Sequence, residues 1–405
     1  MDSKIYKMDQ AIFYSLCLYA LGSSIAMAIA NIGMGLACVL FLVRLYFKRD
    51  DVIFRLKSVD KLIWIAIGAF IMSAFLSAVT SNYFHEGIKE FFNSYVYRPL
   101  PLLVIIGILR KQKECIMVFS CMIVSLLANE IWALAEFTKA IVNGTLYAGN
   151  MRFSGNLHPV HYGGVLSGLV PALLALGVNM SSGKYRNLVF FSYVISCVAL
   201  ILSGTRAAWI AVGIMSILIV VLYIKNKMKL LLVLGVAICL AGSVFVFVPQ
   251  LSNRLSTITD MNYQSNSERL LMWKSAINMY KDYPVFGIGL GSYRYEYKEN
   301  YMSPLAKERD NLAHAHSNIF HTLAEKGTVG IISYTILFFT VAYISFMNWK
   351  RKKEVVALML FTAWIGLMIQ GLTEFNIGMS VTGKLYWLIV GLYLCWYTNL
   401  KMKIN

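Results

Sequence analysis

Charge is what this sequence has least of. Only 14% of its 405 residues are Asp, Glu, Lys or Arg, against roughly a quarter in an ordinary soluble domain, so too few polar side chains exist to cover a water-facing surface. Hydrophobic residues make up 58%, and the fitting solvent is a lipid bilayer. The seven cysteines, Cys17, Cys38, Cys115, Cys121, Cys197, Cys239 and Cys395, all fall inside apolar runs, where a disulfide framework or a thiolate metal site is out of place. No internal repeat and no Gly/Pro-broken helices in matching halves are present, the pattern of many secondary transporters, which argues against a carrier. The first apolar run, from Ala11, continues into a second instead of ending in a polar domain, so a first bundle helix is expected rather than a cleaved signal.

Apolar stretches at 11–27, 30–47, 62–81, 95–109, 115–137, 162–180, 188–203, 207–224, 230–248, 329–347, 355–373 and 381–398 have spanning or near-spanning length. The sequence therefore predicts an all-α integral membrane protein of about twelve transmembrane helices in one polytopic domain. The boundary between the first two, near Ala28 to Asn31, is the least marked.

Acidic residues are scarce, 20 against 37 basic, for a formal net charge of +17. Sorting the charges by loop decides what that excess means. With both termini cytoplasmic, the inside segments hold 22 of the 37 basic residues, from Lys4 and Lys7 through Lys350 to Lys353 and on to Lys401 and Lys403, with seven acidic ones. The basic excess is a positive-inside signal and does not call for nucleic acid as a partner.

One segment differs from the other loops, the residues from Pro249 to Thr328, expected as a large extracytoplasmic loop between the ninth and tenth helices. Function concentrates in such loops. Within it, Leu270, Trp273, Ile277 and Tyr280 recur at helical spacing over Ser267 to Tyr283, and Pro284 ends the run. An amphipathic helix against the bilayer surface or the bundle mouth is expected. A second short helix is expected from about Ser317 to Lys326, with Gly327 capping it. His316 then sits at a helix N-terminus, where backbone amides and the dipole favour an anion.

Four constellations carry chemistry. Ala315-His316-Ser317-Asn318 precedes Glu325-Lys326-Gly327-Thr328-Val329-Gly330, and a histidine can take a proton from a hydroxyl without a metal. Ser203-Gly204-Thr205-Arg206 places a guanidinium at a helix end, suited to a bidentate phosphate contact. Arg152 opens a turn-prone stretch to Pro159 that includes His158, with His161 beyond it. These two histidines lack the carboxylate or cysteine spacing of a metal site. Pro284 to Tyr293 carries Gly287, Gly289 and Gly291, without the βαβ unit a dinucleotide fingerprint requires.

In this order and on this topology, the four pieces resemble the O-antigen ligase and polymerase family. The family pattern is His, then Asn, Ser or Gln, nine residues, then Gly-x-x-Gly. His316 and Ser317, the nine residues Asn318 to Lys326, and Gly327 to Gly330 fit it without a gap. Arg206 in Thr-Arg-Ala-Ala-Trp and the Pro284 to Gly291 stretch are also similar to family features.

The resemblance implies a GT-C-like glycosyltransferase of the bacterial inner membrane, with a periplasmic active site and no cofactor, metal or nucleotide sugar. Its donor would be an undecaprenyl-pyrophosphate-linked glycan and its acceptor a lipid A-core or related glycolipid. His316 is then expected as general base, with Arg206 and Arg152 on the pyrophosphate. Further candidates for binding or orienting are Arg269, Tyr293, Asn318, Glu325, Glu374 and His314. His321 is expected on a different helix face from His316. The alternatives are a polymerase acting on lipid-linked repeat units and, in another class, a lipid-linked glycan flippase or exporter.

Overall fold

The computed structural model describes residues 2–145, 152–247, 249–307 and 313–404. Among the described residues every regular element is helical. Among the described residues, eight helices are long and apolar enough to cross a membrane: Met27–Phe47, Lys61–Val79, Phe84–Ile108, Gln112–Val142, Pro159–Asn179, Lys184–Leu202, Arg206–Tyr223 and Asn318–Lys352. A shorter apolar helix runs over Val355–Gln370, and the helices Asp2–Gly22, Lys227–Phe247 and Ser380–Ile404 occupy other apolar stretches of the sequence. Large side chains such as Leu42, Ile65, Ile131 and Phe339 stand exposed on these helices, as apolar faces do when lipid rather than water solvates them.

Several boundaries differ from the sequence expectation. The break between the first two helices falls between Gly22 and Met27, upstream of Ala28 to Asn31. The pair crosses closely there, because a Cβ on Gly22 would lie 2.3 Å from Ala30 N and one on Gly33 2.4 Å from Tyr19 N. The stretch expected at 95–109 begins instead at Phe84, and Phe91–Tyr97 is wound as a π-helix. Pro99 and Pro101 carry no amide hydrogen to return to the preceding turn, which disfavours regular α winding just before them. An additional short helix, Asp50–Ser58, buries Arg55, whose guanidinium bonds the carbonyls of Ile106 and Leu109 and the side chain of Asn399.

Pro159–Asn179 is the most enclosed span, with 83% of its apolar window buried. Its small residues permit this: a Cβ on Gly163 would meet Thr205 Cγ2 at 2.4 Å, and one on Gly164 would meet Thr382 Cγ2 at 2.3 Å. Close backbone approach of this kind is the main packing device between helices in lipid. His158 precedes this helix as its N-cap, its ring accepting from Val160 N.

The expected pair of a short helix and a following crossing is a single helix, Asn318–Lys352, broken at Gly327 with φ 58° and ψ −152°. Residues 308–312 of the expected outer segment lie outside the described residues. The remainder carries the helices Pro249–Ser256 and Gln264–Asp282 and a short turn Tyr293–Glu296 continued by a π-helical turn, Tyr297–Tyr301. The apolar stripe read on the second of these is packed only in part, through Trp273 stacked on Phe320 and Tyr280 bonded to Thr328. Glu268, Met272, Ser275, Ala276 and Met279 are buried, whereas Leu270 and Ile277 are exposed. The helix packs through small residues and methionines onto Tyr293 and Tyr297, a contact that periodicity of large apolar residues does not reveal.

Candidate functional site

The site is built on a repaired helix break. At Gly327 the amides of Thr328 and Val329 no longer reach the carbonyls of Ala324 and Glu325, so four polar groups are left without helical partners. The 284–289 stretch supplies all four. Ile288 N donates to Ala324 O at 2.9 Å and Gly289 N to Glu325 O at 3.2 Å, while Thr328 N and Val329 N donate to Pro284 O and Val285 O at 2.9 and 3.2 Å. The approach requires glycine on both sides: a Cβ on Gly287 would lie 2.4 Å from Ala324 O, and one on Gly327 2.5 Å from Val285 O. Leu290 N to Ser77 O, 3.3 Å, and Ser77 Oγ to Glu325 O, 2.6 Å, fasten the assembly to the end of the Lys61–Val79 helix.

This docking sets the start of the Asn318–Lys352 helix. Ser317 caps it, accepting from Phe320 N at 3.4 Å, and the first helical amide, Asn318 N, donates to Gly371 O at 2.8 Å. His316 precedes the cap in a left-handed conformation with φ 46°, uncommon for a non-glycine residue and a form of strain that gathers at functional sites. Trp273 Nε1 donates to Ala315 O at 3.0 Å and holds the strained segment in place.

The turn 371–377 approaches the same helix start. His316 Nδ1 lies 3.1 Å from Glu374 Oε2, and the other oxygen of Glu374 receives Arg269 Nη2. Glu374 is 3% exposed and His316 31%, so the carboxylate is sealed behind an accessible imidazole. Burial alone would raise the Glu374 carboxyl, but Arg269 and His316 outweigh it and hold the group below its ordinary value. With a carboxylate at Nδ1, that nitrogen carries the proton and Nε2 keeps its lone pair.

Four arginines surround this pair. Arg152 donates from Nε to Ser203 O at 3.0 Å and from Nη2 to Thr205 Oγ1 at 2.9 Å. Arg254 donates to Gly204 O at 3.3 Å, and its Nε is buried without a partner. Gly204, at φ 62°, lies between these two side chains, with Arg254 Cδ and Arg152 Cγ 3.1 and 3.4 Å from where a Cβ would stand. Arg206 bonds Thr257 O and Oγ1, Ser265 Oγ and Asn266 Oδ1, and stands 5.4 Å over the Tyr263 ring. Burial, with Arg254 next and Arg269 and Arg206 beyond, lowers Arg152 to about 10 against the opposing pull of Glu374. Arg269 pairs with the Glu374 carboxylate, whereas Arg152, Arg206 and Arg254 bond neutral oxygens, an arrangement poised for a multiply charged anion.

The remaining candidates fall into two groups. His314 stays beside the base, its ring centroid 4.4 Å from that of His316 and its Nδ1 accepting from His316 N at 3.4 Å; burial, then His316 and His321, push it down to about 3. Tyr293, Asn318 and Glu325 act as internal supports. Tyr293 is fully buried and its amide donates to Glu325 Oε1 at 3.1 Å. Asn318 bonds Asn376 Oδ1 at 2.8 Å and accepts from Ile377 N at 3.2 Å, which fixes the turn that carries Glu374.

His321 turns to Glu325, 3.3 Å away, and its Nδ1 accepts from Ala315 N at 3.4 Å. His158 caps the Pro159–Asn179 helix through Nδ1, and its ring centroid is 5.7 Å from that of His161. Among the described residues, no three His, Cys, Asp or Glu side chains converge as a metal would need. Sequence reasoning did not single out Arg254, since nothing in its short helix distinguishes one loop arginine from another. The His321 and Glu325 pair, four residues apart on a helix, had a signal in its spacing.

Residues 191–335 match the family model described as O-antigen ligase. This stretch is similar to the O-antigen ligase family. No curated protein matches the chain. Enzymes of the O-antigen ligase family are of the glycosyltransferase or ligase type and use lipid-linked glycans and glycolipids in general. The apolar helices, together with the family similarity of residues 191–335, mark the chain as a membrane protein. The O-antigen ligase match spans Arg206, Arg254, Arg269 and His316, whereas Arg152 and Glu374 reach the site from outside it.

Proposed function

We propose that the chain is an O-antigen ligase-like glycosyltransferase. It moves a glycan from undecaprenyl pyrophosphate to a hydroxyl of a lipid A-core or similar glycolipid. The observation that carries this reading is Glu374, which orients His316 with one oxygen and meets Arg269 of the arginine cluster with the other. A base and an anion site are thereby coupled through one buried carboxylate.

In the reaction, His316 Nε2 takes the proton of the acceptor hydroxyl as its oxygen forms the new bond to the anomeric carbon. The bond from that carbon to the pyrophosphate oxygen breaks, and its electron pair leaves with the pyrophosphate. Arg152, Arg206 and Arg254 hold the departing anion, where fixed cations in a partly dry site act strongly. Glu374 stabilises the imidazolium that forms, and the leaving group supplies the driving force, so neither nucleotide sugar nor metal is required.

The setting we infer is a GT-C-like bundle of twelve spans in a bacterial inner membrane, both termini cytoplasmic and the site periplasmic. Support comes from the sorting of basic residues and from the position of the site. Arg206 bonds Thr257, Ser77 near the end of Lys61–Val79 accepts from Leu290, and Gly371 after Val355–Gln370 accepts from Asn318 at the start of Asn318–Lys352, so these helix ends gather on one side with the site. An exporter would instead distribute its cations along a pore.

The test is transfer by the purified protein with an undecaprenyl-pyrophosphate glycan and a lipid A-core acceptor, comparing wild type with His316→Ala and Arg206→Ala. Transfer to the core that His316→Ala abolishes supports the ligase. Chain growth on the carrier without transfer to the core converts the reading to a polymerase, and activity indifferent to His316 overturns it.

A further inference from the structure

A cavity of about 380 Å³ lies beside the base, at the junction of the Phe91–Tyr97 π-helix, the 290–295 turn and the 375–379 turn. His314 and Phe375, neighbours of the base and its orienting carboxylate, form part of its wall. The volume falls in the ordinary range for a small-molecule site. Nothing in the transfer chemistry above uses it.

It lacks the net positive charge of the arginine cluster. Three carboxylates, Glu86, Glu90 and Glu325, face two cations, Lys89 and Arg294, and Lys89 is already paired with Glu86 at 3.3 Å. A pyrophosphate has Arg152, Arg206 and Arg254 to bind nearby. Uncharged hydroxyl groups suit the lining, because Glu90 accepts hydrogen bonds, as it does from Ser94, and the Asn93 amide stands exposed. The rings of Tyr295, Phe375 and Trp387 also line the cavity and offer apolar faces for the C–H surfaces of a pyranose. Successive residues Asn93, Ser94 and Tyr95 of the π-helix all line the cavity, and such wide turns recur at functional sites.

We propose that this cavity is the subsite for uncharged sugar residues of the acceptor, which carries the attacking hydroxyl to His316 past His314. The inference rests on the transferase reading. It assigns the acceptor rather than the donor because the donor's reacting sugar is bonded directly to the pyrophosphate and must lie with the arginines.

The test uses the full chain in nanodiscs and two probes: undecaprenyl pyrophosphate, and neutral oligosaccharides released by mild acid from the host's own surface glycolipids. The variants are Glu90→Gln, which keeps the shape, and Asn93→Trp, which fills the cavity from an exposed position. Each is expected to weaken oligosaccharide binding roughly tenfold or more, with undecaprenyl pyrophosphate binding and the melting temperature unchanged. Oligosaccharide binding indifferent to both variants, or absent from wild type, overturns the subsite. Undecaprenyl pyrophosphate binding that survives Arg206→Ala overturns the transferase reading instead, so the two failures are distinct.

Discussion

Glu374 and His316 share a 3.1 Å contact from Oε2 to Nδ1, and that contact selects the tautomer that can act as a base. Replacing the carboxylate by an amide keeps the size of the side chain but permits the opposite tautomer. Glu374→Gln is therefore expected to lower kcat by roughly 10² to 10⁴, the range of a general-base contribution, with the KM for the lipid-linked donor changed far less. Steady-state transfer kinetics check this; a KM effect alone would assign Glu374 to binding through Arg269.

The same carboxylate gives a stability signature. Its folded value is depressed, since Arg269 and His316 outweigh the effect of burial. A depressed carboxyl contributes stability above the unfolded value of about 4.3 and loses it as pH falls through the folded value. The gap in melting temperature between wild type and Glu374→Gln is expected to be constant from about pH 6 to 8 and to close below about pH 4. A gap that widens in acid would contradict the ionised pair.

His314 tests which histidine acts as the base. At about 3, it is neutral throughout the range in which transfer is measured. His314→Gln is expected to leave the acid limb of the pH profile of kcat/KM in place. Loss of that limb would move the base from His316 to His314.

Arg254 has a buried Nε without a partner and adds to the crowding of positive charge around Arg152. Arg254→Met is expected to weaken undecaprenyl pyrophosphate roughly tenfold to a hundredfold, the worth of one charge-assisted hydrogen bond. The melting temperature of the ligand-free protein should not fall, because the substitution relieves repulsion. Titration calorimetry and thermal unfolding separate the two effects.

The helical class, the positions of most apolar helices and the break at Gly327 were all legible in the sequence. Each leaves a local mark: a run of apolar residues, or a glycine where a helix must end. What was not legible depends on contacts between distant segments. Glu374 is marked in the sequence only by its place before the last apolar stretch, as one of several candidates for binding or orienting, and its 3.1 Å contact with His316 depends on the turn that Asn318 and Asn376 hold at 2.8 Å. Arg254 joined the site through Gly204, fifty residues away in sequence, and the buried face of Gln264–Asp282 follows small residues rather than the large ones that set its periodicity.

Gly327 tests whether the repaired helix break is what positions the base. Its φ of 58° and ψ of −152° lie in a region essentially closed to other residues, and a Cβ there would stand 2.5 Å from Val285 O and 2.7 Å from Gly287 N. Both neighbours are backbone and cannot swing aside. Gly327→Ala is expected to destabilise the fold by about 2 kcal/mol or more, combining the backbone strain with displacement of the 284–289 stretch. The displaced stretch would also release the start of the Asn318–Lys352 helix, so transfer should fall at temperatures where the protein remains folded. Thermal unfolding and transfer activity measured on the same preparation decide it: a stable but inactive variant confirms that the break aims His316, whereas a stable and active one shows that the helix start is positioned by Gly371 and the Glu374 turn alone.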